Sequence, residues 1–437
     1  MMEQTTSSKW NPTDVLDGRY FVEKIFVEIE NFTVWQMKDY VLNCPVWVLY
    51  AEEYDKEILK DLAYQLYRAT KSEEKIVEIL SIKTIAKRDV LIFSMKYEDI
   101  EPEVFLEWLV TRTEEEIQEE QTEVSEKEEI SAEGLEQVLP ADFCLDGRYR
   151  IIRCLGIGGF GITYLCEDIY LHRKVAVKEY FPEQWAERDE EYVSVKKSNL
   201  LKAFQYGMQS FGREIQVTAI FMHVPNIVTV YDAFKANDSL YMVMQFVEGI
   251  SIGKEMRHRE YEPYTPAEMA DIILPLLNVL EEMHGKALVH SDISPGNIIR
   301  DKENRIVLID MGAAKTTESR QPVLNASFLK LDYAAPEQYL TAKEGVAACE
   351  GPWTDVYAVG ATMFYLLTGK KPMDVINRVN NENADIALPE DAKVQLTEEW
   401  LELIHRATKL DRKVRIGSVA ELREGLYELL EIKEVWE

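Results

Sequence analysis

His290-Ser291-Asp292-Ile293-Ser294-Pro295-Gly296-Asn297 is followed, after the apolar run Ile306–Ile309, by Asp310-Met311-Gly312. An aspartate, an asparagine five residues on and a second aspartate after a short apolar strand form a specific constellation. One carboxylate can accept the proton of an attacking hydroxyl, while the amide and the other carboxylate can hold Mg²⁺ against a polyphosphate. A turn followed by a strand would account for either half, but not comfortably for both at this spacing.

Upstream lies Gly156-Ile157-Gly158-Gly159-Phe160-Gly161, between two predicted strands. Glycines there let backbone N–H groups approach phosphate oxygens with no Cβ in the way. A dinucleotide fold needs a helix to open at the third glycine, whereas Ile162-Thr163-Tyr164-Leu165 continues as strand. Lys178 then ends the apolar strand Val175-Ala176-Val177. It can hold α- and β-phosphates if an acid fixes it, and Glu214, on a helix predicted around Phe211–Ile220, is the candidate; the plain alternative is a solvated strand tip. Past Gly249 the pattern turns helical. Thr265-Pro266-Ala267-Glu268 is a capping box with proline at the first helical position, opening a helix to about His284, and Ser418-Val419-Ala420-Glu421 is a second.

The chain has 437 residues, enough for two or three domains. Its 49 basic and 78 acidic residues give a charge of −29, which argues against nucleic acid and anionic membrane as partners. Eleven glutamates and one lysine fall between Thr113 and Pro140, the pattern of a solvated connector. Five cysteines without a CxxC fit reduced thiols rather than zinc or a disulfide framework. No apolar stretch reads as a signal peptide or a bilayer span. A soluble, cytoplasmic protein is expected, with residues 1–112, a linker 113–140 and a third part 141–437 divided near 248.

Leu16-Asp17-Gly18-Arg19-Tyr20 returns as Leu145–Tyr149, and the match runs on without a gap: Trp35 on Tyr164, Asp39 on Asp168, Val46 and Val48 on Val175 and Val177. Predicted strands Ile76–Ile82 and Val90–Met95 find counterparts in Ile227–Ala233 and Leu240–Phe246, which implies extra residues near 182–205 in the second copy. A chance pentapeptide before generic strand pattern is the plain alternative.

Residues 146–430 resemble a bacterial eukaryotic-like serine/threonine protein kinase. The motifs are the glycine loop, VAVK ending at Lys178, HSD at 290–292, Asn297, DMG at 310–312, Ala335-Pro336-Glu337, and Asp355-Val356-Tyr357-Ala358-Val359-Gly360. The resemblance implies a bilobal α+β fold with an antiparallel β-rich N-lobe and a helical C-lobe, preceded by a small α+β domain like a second N-lobe. It implies ATP and Mg²⁺, with Mn²⁺ as the alternative ion. ATP would lie against Gly156, Ile157, Gly158, Gly159, Phe160, Gly161, Thr163, Ala176, Lys178, Met244, Gln245, Val247 and Ile299. The metal would be held by Asn297 and Asp310, with Asp292 as base or orienting acceptor and Arg415 paired to Glu337.

Three departures stand out. The usual arginine before the catalytic aspartate is Ser291, so phosphorylation of Thr316, Thr317, Ser319 or Ser327 is not expected to be required. The phenylalanine of the metal motif is Met311. The usual lysine two after the aspartate is Ser294, while the threonine five before the APE alanine is Lys330, as though the pair were exchanged; an exposed loop lysine is the alternative. In the first copy Val27, Ile29 and Phe32 replace the loop glycines and Leu49 replaces Lys178, so ATP is not expected there. That copy is expected to dock on the active half or on another copy. Two other functions remain at this stage: a small-molecule phosphotransferase, whose HGDxxxxN loop the HSDISPGN string resembles, and a non-catalytic scaffold.

Overall fold

The computed structural model describes residues 10–29, 32–52, 54–69, 77–96, 100–113, 135–316, 330–339, 350–380 and 397–430. Most of the glutamate-rich connector, Cys349, Thr317, Ser319 and Ser327 lie outside them. The chain forms two compact units, Met1–His223 with Thr229–Phe246, and Val224–Val228 with Val247–Glu437.

The first unit holds two six-stranded antiparallel sheets. The first is built from β1 (Val15–Leu16), β2 (Tyr20–Glu28), β3 (Thr33–Asp39), β4 (Cys44–Tyr50), β5 (Val77–Ile85) and β6 (Arg88–Met95), with α1 (Lys56–Ala69) and α2 (Pro102–Thr113). The second uses β7 (Cys144–Leu145), β8 (Tyr149–Gly158), β9 (Gly161–Asp168), β10 (Arg173–Tyr180), β13 (Val230–Ala236) and β14 (Ser239–Gln245), with α3 (Leu201–Ile220). Their orders are β1-β2-β3-β4-β6-β5 and β7-β8-β9-β10-β14-β13, the same path through the same positions. Local backbone agrees as well. Asp17 and Gly18 have φ of 49° and 66°, and Asp146 and Gly147 have 50° and 61°. The β5–β6 turn at Ala86-Lys87 and the β13–β14 turn at Asn237-Asp238 are left-handed at both residues, as tight hairpins require. Asn-Asp suits that geometry. Ala-Lys does not, and Asp17 supports it by accepting the Ala86 N–H at 2.9 Å.

The residues between β10 and α3 form the hairpin β11 (Ala186–Asp189) and β12 (Tyr192–Val195), and α3 itself begins ten residues before the expected Phe211. Strand β13 begins at Val230 rather than Ile227. Ile227 bridges Leu308 and Val228 N–H donates to the Leu308 carbonyl, so this stretch belongs to the second unit.

Strand alternation sorts the first sheet's side chains. Trp47, Leu49, Leu91 and Phe93 pack with Leu59, Ala63 and Phe105 of its helices. Val46, Val48 and Ile92, on the other face, share one apolar cluster with Tyr149, Tyr164, Val175 and Val177 of the second sheet and with Ile215 and Ala219 of α3. The first sheet is thus covered on both faces.

The second unit carries β15 (Gly249–Ser251), α4 (Ile252–His258), α5 (Pro266–Gly285), β16 (Leu288–Val289), β17 (Ile298–Asp301), β18 (Ile306–Leu308) and β19 (Lys315–Thr316). Then follow α6 (Pro352–Thr368), α7 (Val375–Asn380), α8 (Glu398–Ala407) and α9 (Val419–Leu429). The box at the start of α5 is complete: Thr265 Oγ1 accepts from Glu268 N at 3.2 Å and Glu268 returns to Thr265 N at 2.7 Å. At α9 the Ser418 hydroxyl accepts from Glu421 N, but the Glu421 carboxylate takes Gly417 N–H instead of Ser418 N–H.

Asp232 is fully buried in the first unit, between Lys83 at 2.8 Å and Arg19 at 3.1 Å. Burial raises its pKa, yet the two cations outweigh it and hold the carboxyl at about 2. A depressed carboxyl stabilises the fold above its unfolded pKa, near 3.9, and loses that contribution as pH falls through the folded value. The Tm advantage of the native chain over Asp232→Asn should therefore shrink between pH 5 and pH 2 by the equivalent of about 2 kcal/mol, as calorimetry across that range would register. A constant difference would mean the carboxylate is not held ionised.

Candidate active site

In the first unit, β8 and β9 meet at Gly158 and Gly161 around the tip Gly159-Phe160. A Cβ on Gly161 would stand 2.4 Å from the Glu179 carbonyl oxygen, so no larger residue fits there without moving β10, whereas Gly156 faces open space. Lys178 lies in β10 and its Nζ is 2.6 Å from Glu214 Oε1 on α3. The next residue sets that direction. Glu179 is fully buried and accepts from Tyr164 at 2.8 Å, Tyr241 at 2.6 Å and Arg188 at 2.5 Å. Pinning Glu179 to one face of β10 turns Lys178 to the other. Sequence reading noted Glu179 only within the string Lys178-Glu179-Tyr180-Phe181-Pro182 and gave it no role. Thr163 pairs with Lys178 across β9 and β10, and Ala176 lies between Leu165 and Met244. Gln245, at the end of β14, donates its N–H to Thr229.

In the second unit, the Asp292 carboxylate accepts from Asn297 Nδ2 at 2.7 Å and Lys330 Nζ at 2.8 Å. Lys330 Nζ also meets Ser294 Oγ at 3.0 Å. The lysine reaches in from the chain segment just before Ala335-Pro336-Glu337 and joins both loop residues. Asn297 gives Nδ2 to the Asp292 carbonyl as well, leaving its amide oxygen side for a hard cation. The Ile309 N–H donates to the Asn297 carbonyl at 2.9 Å, which sets Asp310 one residue from that tie. An amide oxygen and a carboxylate are the donor set magnesium prefers, so Asn297 and Asp310 fit it. Val247 and Ile299 belong to this unit too.

The loop is held from below. Ser291 and Asp310 both have left-handed backbone, φ 65° and 66°, a conformation that costs energy unless neighbours enforce it. Asp355, at the start of α6, enforces the first by accepting His290 N–H at 2.9 Å and Ser291 N–H at 2.8 Å. Gln338 donates to the Ser291 carbonyl at 2.7 Å. His290 is fully buried, and burial lowers its pKa. Ser291 Oγ donates to Glu350 at 2.9 Å, a partner that sequence reading missed because the acid lies 59 residues away. Met311 is buried. Glu337 takes a forked pair from Arg415, at 2.8 and 3.1 Å, and a bond from Thr354.

Residues 149–427 match the family model described as protein kinase domain. Serine/threonine-protein kinase PrkC of Bacillus subtilis is 33% identical over 53% of this chain and 32% of its own length. Serine/threonine-protein kinase PknA of Nostoc is 32% identical over 53% of this chain and 39% of its own. This chain thus spans about a third of those relatives. A solved structure titled PpkA-294 apo form superposes with a TM-score of 0.55 and 28% identity, over 66% of this chain and 99% of that one. With the family model covering well over half of its length, the chain belongs to the protein kinase family.

Proposed function

We propose that this chain transfers the γ-phosphoryl group of ATP to serine and threonine hydroxyls of proteins. The observation that carries the reading is the Asp292 carboxylate, fixed by Asn297 and Lys330 within a loop whose sequence and family both point to phosphoryl transfer. Asp292 accepts or orients the proton of the attacking hydroxyl. Lys178, held by Glu214, binds the α- and β-phosphates under the glycine loop. Magnesium, held by Asn297 and Asp310, would neutralise the polyphosphate when bound.

The protein-substrate reading is favoured over a small-molecule phosphotransferase by Ala335-Pro336-Glu337 with its Arg415 anchor and by relatives named as protein kinases. The first sheet reads as a kinase N-lobe stripped of its site. It shares the second sheet's strand order, yet Val27 and Leu49, at the places of Gly156 and Lys178, are buried apolar side chains.

Lys330 supplies the cation that the loop lacks at Ser294. A positive charge beside the transferring group stabilises the charge that develops there. Lys330→Ala should lower kcat by about 10²-fold, and restoring the family's arrangement with Lys330→Thr plus Ser294→Lys should recover much of it. Turnover close to native in Lys330→Ala would exclude the role.

Incubation of the purified chain with labelled ATP and a generic basic protein tests the activity itself. Label should enter the protein, or the chain itself, and disappear in Asp310→Asn. ATP binding without protein labelling would favour the small-molecule reading, and no ATP binding a scaffold.

A further inference from the structure

The two sheets of the first unit touch through a reciprocal exchange. Arg19 closes on Asp39 of its own sheet at 2.7 Å, then reaches the other sheet, meeting Asp232 at 3.1 Å and the Ala233 carbonyl at 2.8 Å. Arg148 closes on Asp168 at 2.5 Å, then reaches back to the Ser81 hydroxyl and, at 3.5 Å, to the Leu80 carbonyl. Arg19 and Arg148 are the same residue of the repeated pentapeptide. Ser81 and Asp232 likewise occupy matching positions on β5 and β13, counted from the equivalent turns at Ala86-Lys87 and Asn237-Asp238. The contact is therefore a pseudo-twofold one, in which each sheet's arginine enters the other's edge strand.

It is not a symmetric pair, and the differences point one way. The acid survives only at Asp232, and the first sheet adds Lys83 to meet it at 2.8 Å. The second sheet adds Arg173, which donates to the Leu80 carbonyl at 3.2 Å. Two copies of the first sheet would lack Asp232, and the buried Glu78 of β5 would lose Arg173, which lies 3.8 Å from it. Two copies of the second would lack Lys83. Charge fits each sheet to the other better than to itself.

The same contact reaches α3. Gln216, two residues past Glu214, donates to the Tyr40 carbonyl of the β3–β4 turn at 3.4 Å. Ile215 and Ala219 lie in one apolar cluster with Trp35, Leu42 and Val46 of the first sheet. At the mirrored place, Tyr64 of α1 packs edge-on against His172 at 5.7 Å, and Lys60 lies 4.6 Å over the Tyr170 ring.

We infer that the first sheet is a resident counterpart of the kinase sheet, seated by this exchange of cations, and that its seat positions α3 so that Glu214 meets Lys178. The inference rests on the kinase reading above. Glu214 acts here through Lys178, and the first sheet is a positioning element that never touches ATP. A helix already held by the Tyr40 carbonyl and by strand β4 has fewer positions left to lose when Glu214 meets Lys178 than one from which the sheet has lifted away, so the ion pair forms at lower cost.

The test uses the full chain. Lys83→Glu sets a carboxylate against buried Asp232 and should lift the first sheet. Amides of residues 201–220 should exchange faster, and kcat/KM for ATP should fall about tenfold, the size of an ordinary coupling between sites. Adding Asp232→Asn to the same chain removes the repulsion and should restore most of both. A sheet merely unfolded by the new glutamate would not be rescued by a change on the other sheet. Faster exchange with kcat/KM within about twofold of native would overturn the positioning role. Unchanged exchange would overturn the seating by Lys83 and Asp232. If the native chain labels no protein, the kinase reading fails while this one still stands or falls, because exchange and ATP affinity of the same variants report the coupling without turnover.

Discussion

A buried guanidinium that closes on an aspartate of the neighbouring strand is the interaction on which the first unit depends. Arg148 is almost wholly buried and Asp168 entirely so. Arg173 also approaches Asp168, at 3.5 Å, but Arg148 makes the shorter, forked contact, and removing a partner from a buried ion is costly. The pair locks the start of β8 to the end of β9 and thereby fixes the register of the strand that carries the glycine loop. It also leaves a problem. A guanidinium has five donors, and one carboxylate cannot take them all. The remaining donors of Arg148 find Ser81 and Leu80 of the first sheet, and those of Arg19 find Asp232 and Ala233. Contact between the sheets follows from burying the arginines.

From that frame the site inherits its directions. With β8, β9 and β10 in register, Glu179 falls among Tyr164, Tyr241 and Arg188, and Lys178 must face the opposite way. In the second unit the corresponding constraint is Asp355. Its carboxylate gathers two successive backbone N–H groups and His284, holding Ser291 in a left-handed conformation that an ordinary side chain avoids. The strain is local, and it aims Asp292 at Asn297 and Lys330.

What could be read in the sequence was whatever repeats or keeps a fixed local spacing. The pentapeptide at Leu16 and Leu145 foretold two sheets of one topology, since Asp-Gly turns and strand alternation act over few residues. The capping box at Thr265 was legible for the same reason. The start of β13 was not. Ile227 and Val228 carry ordinary strand propensity, and what removes them from that strand is a partner, Leu308, 81 residues on. The site divides the same way. Lys330 could be suspected because a family pattern has a lysine missing and another added, but Glu350 and Gln338, which brace Ser291, leave no local trace.

Lys330 ties the segment before Ala335 to the loop at Asp292, because its backbone belongs to the segment while its Nζ meets Asp292 and Ser294. The Lys330 carbonyl accepts from Tyr333 and Ala334 N–H at 2.7 and 2.9 Å, so the side chain is anchored at a turn and its reach toward Asp292 orders that turn. Ser291 meanwhile offers no cation, and its hydroxyl is spent on Glu350. The Lys330 side chain, bonded to Asp292 and Ser294, is what joins the segment to that loop.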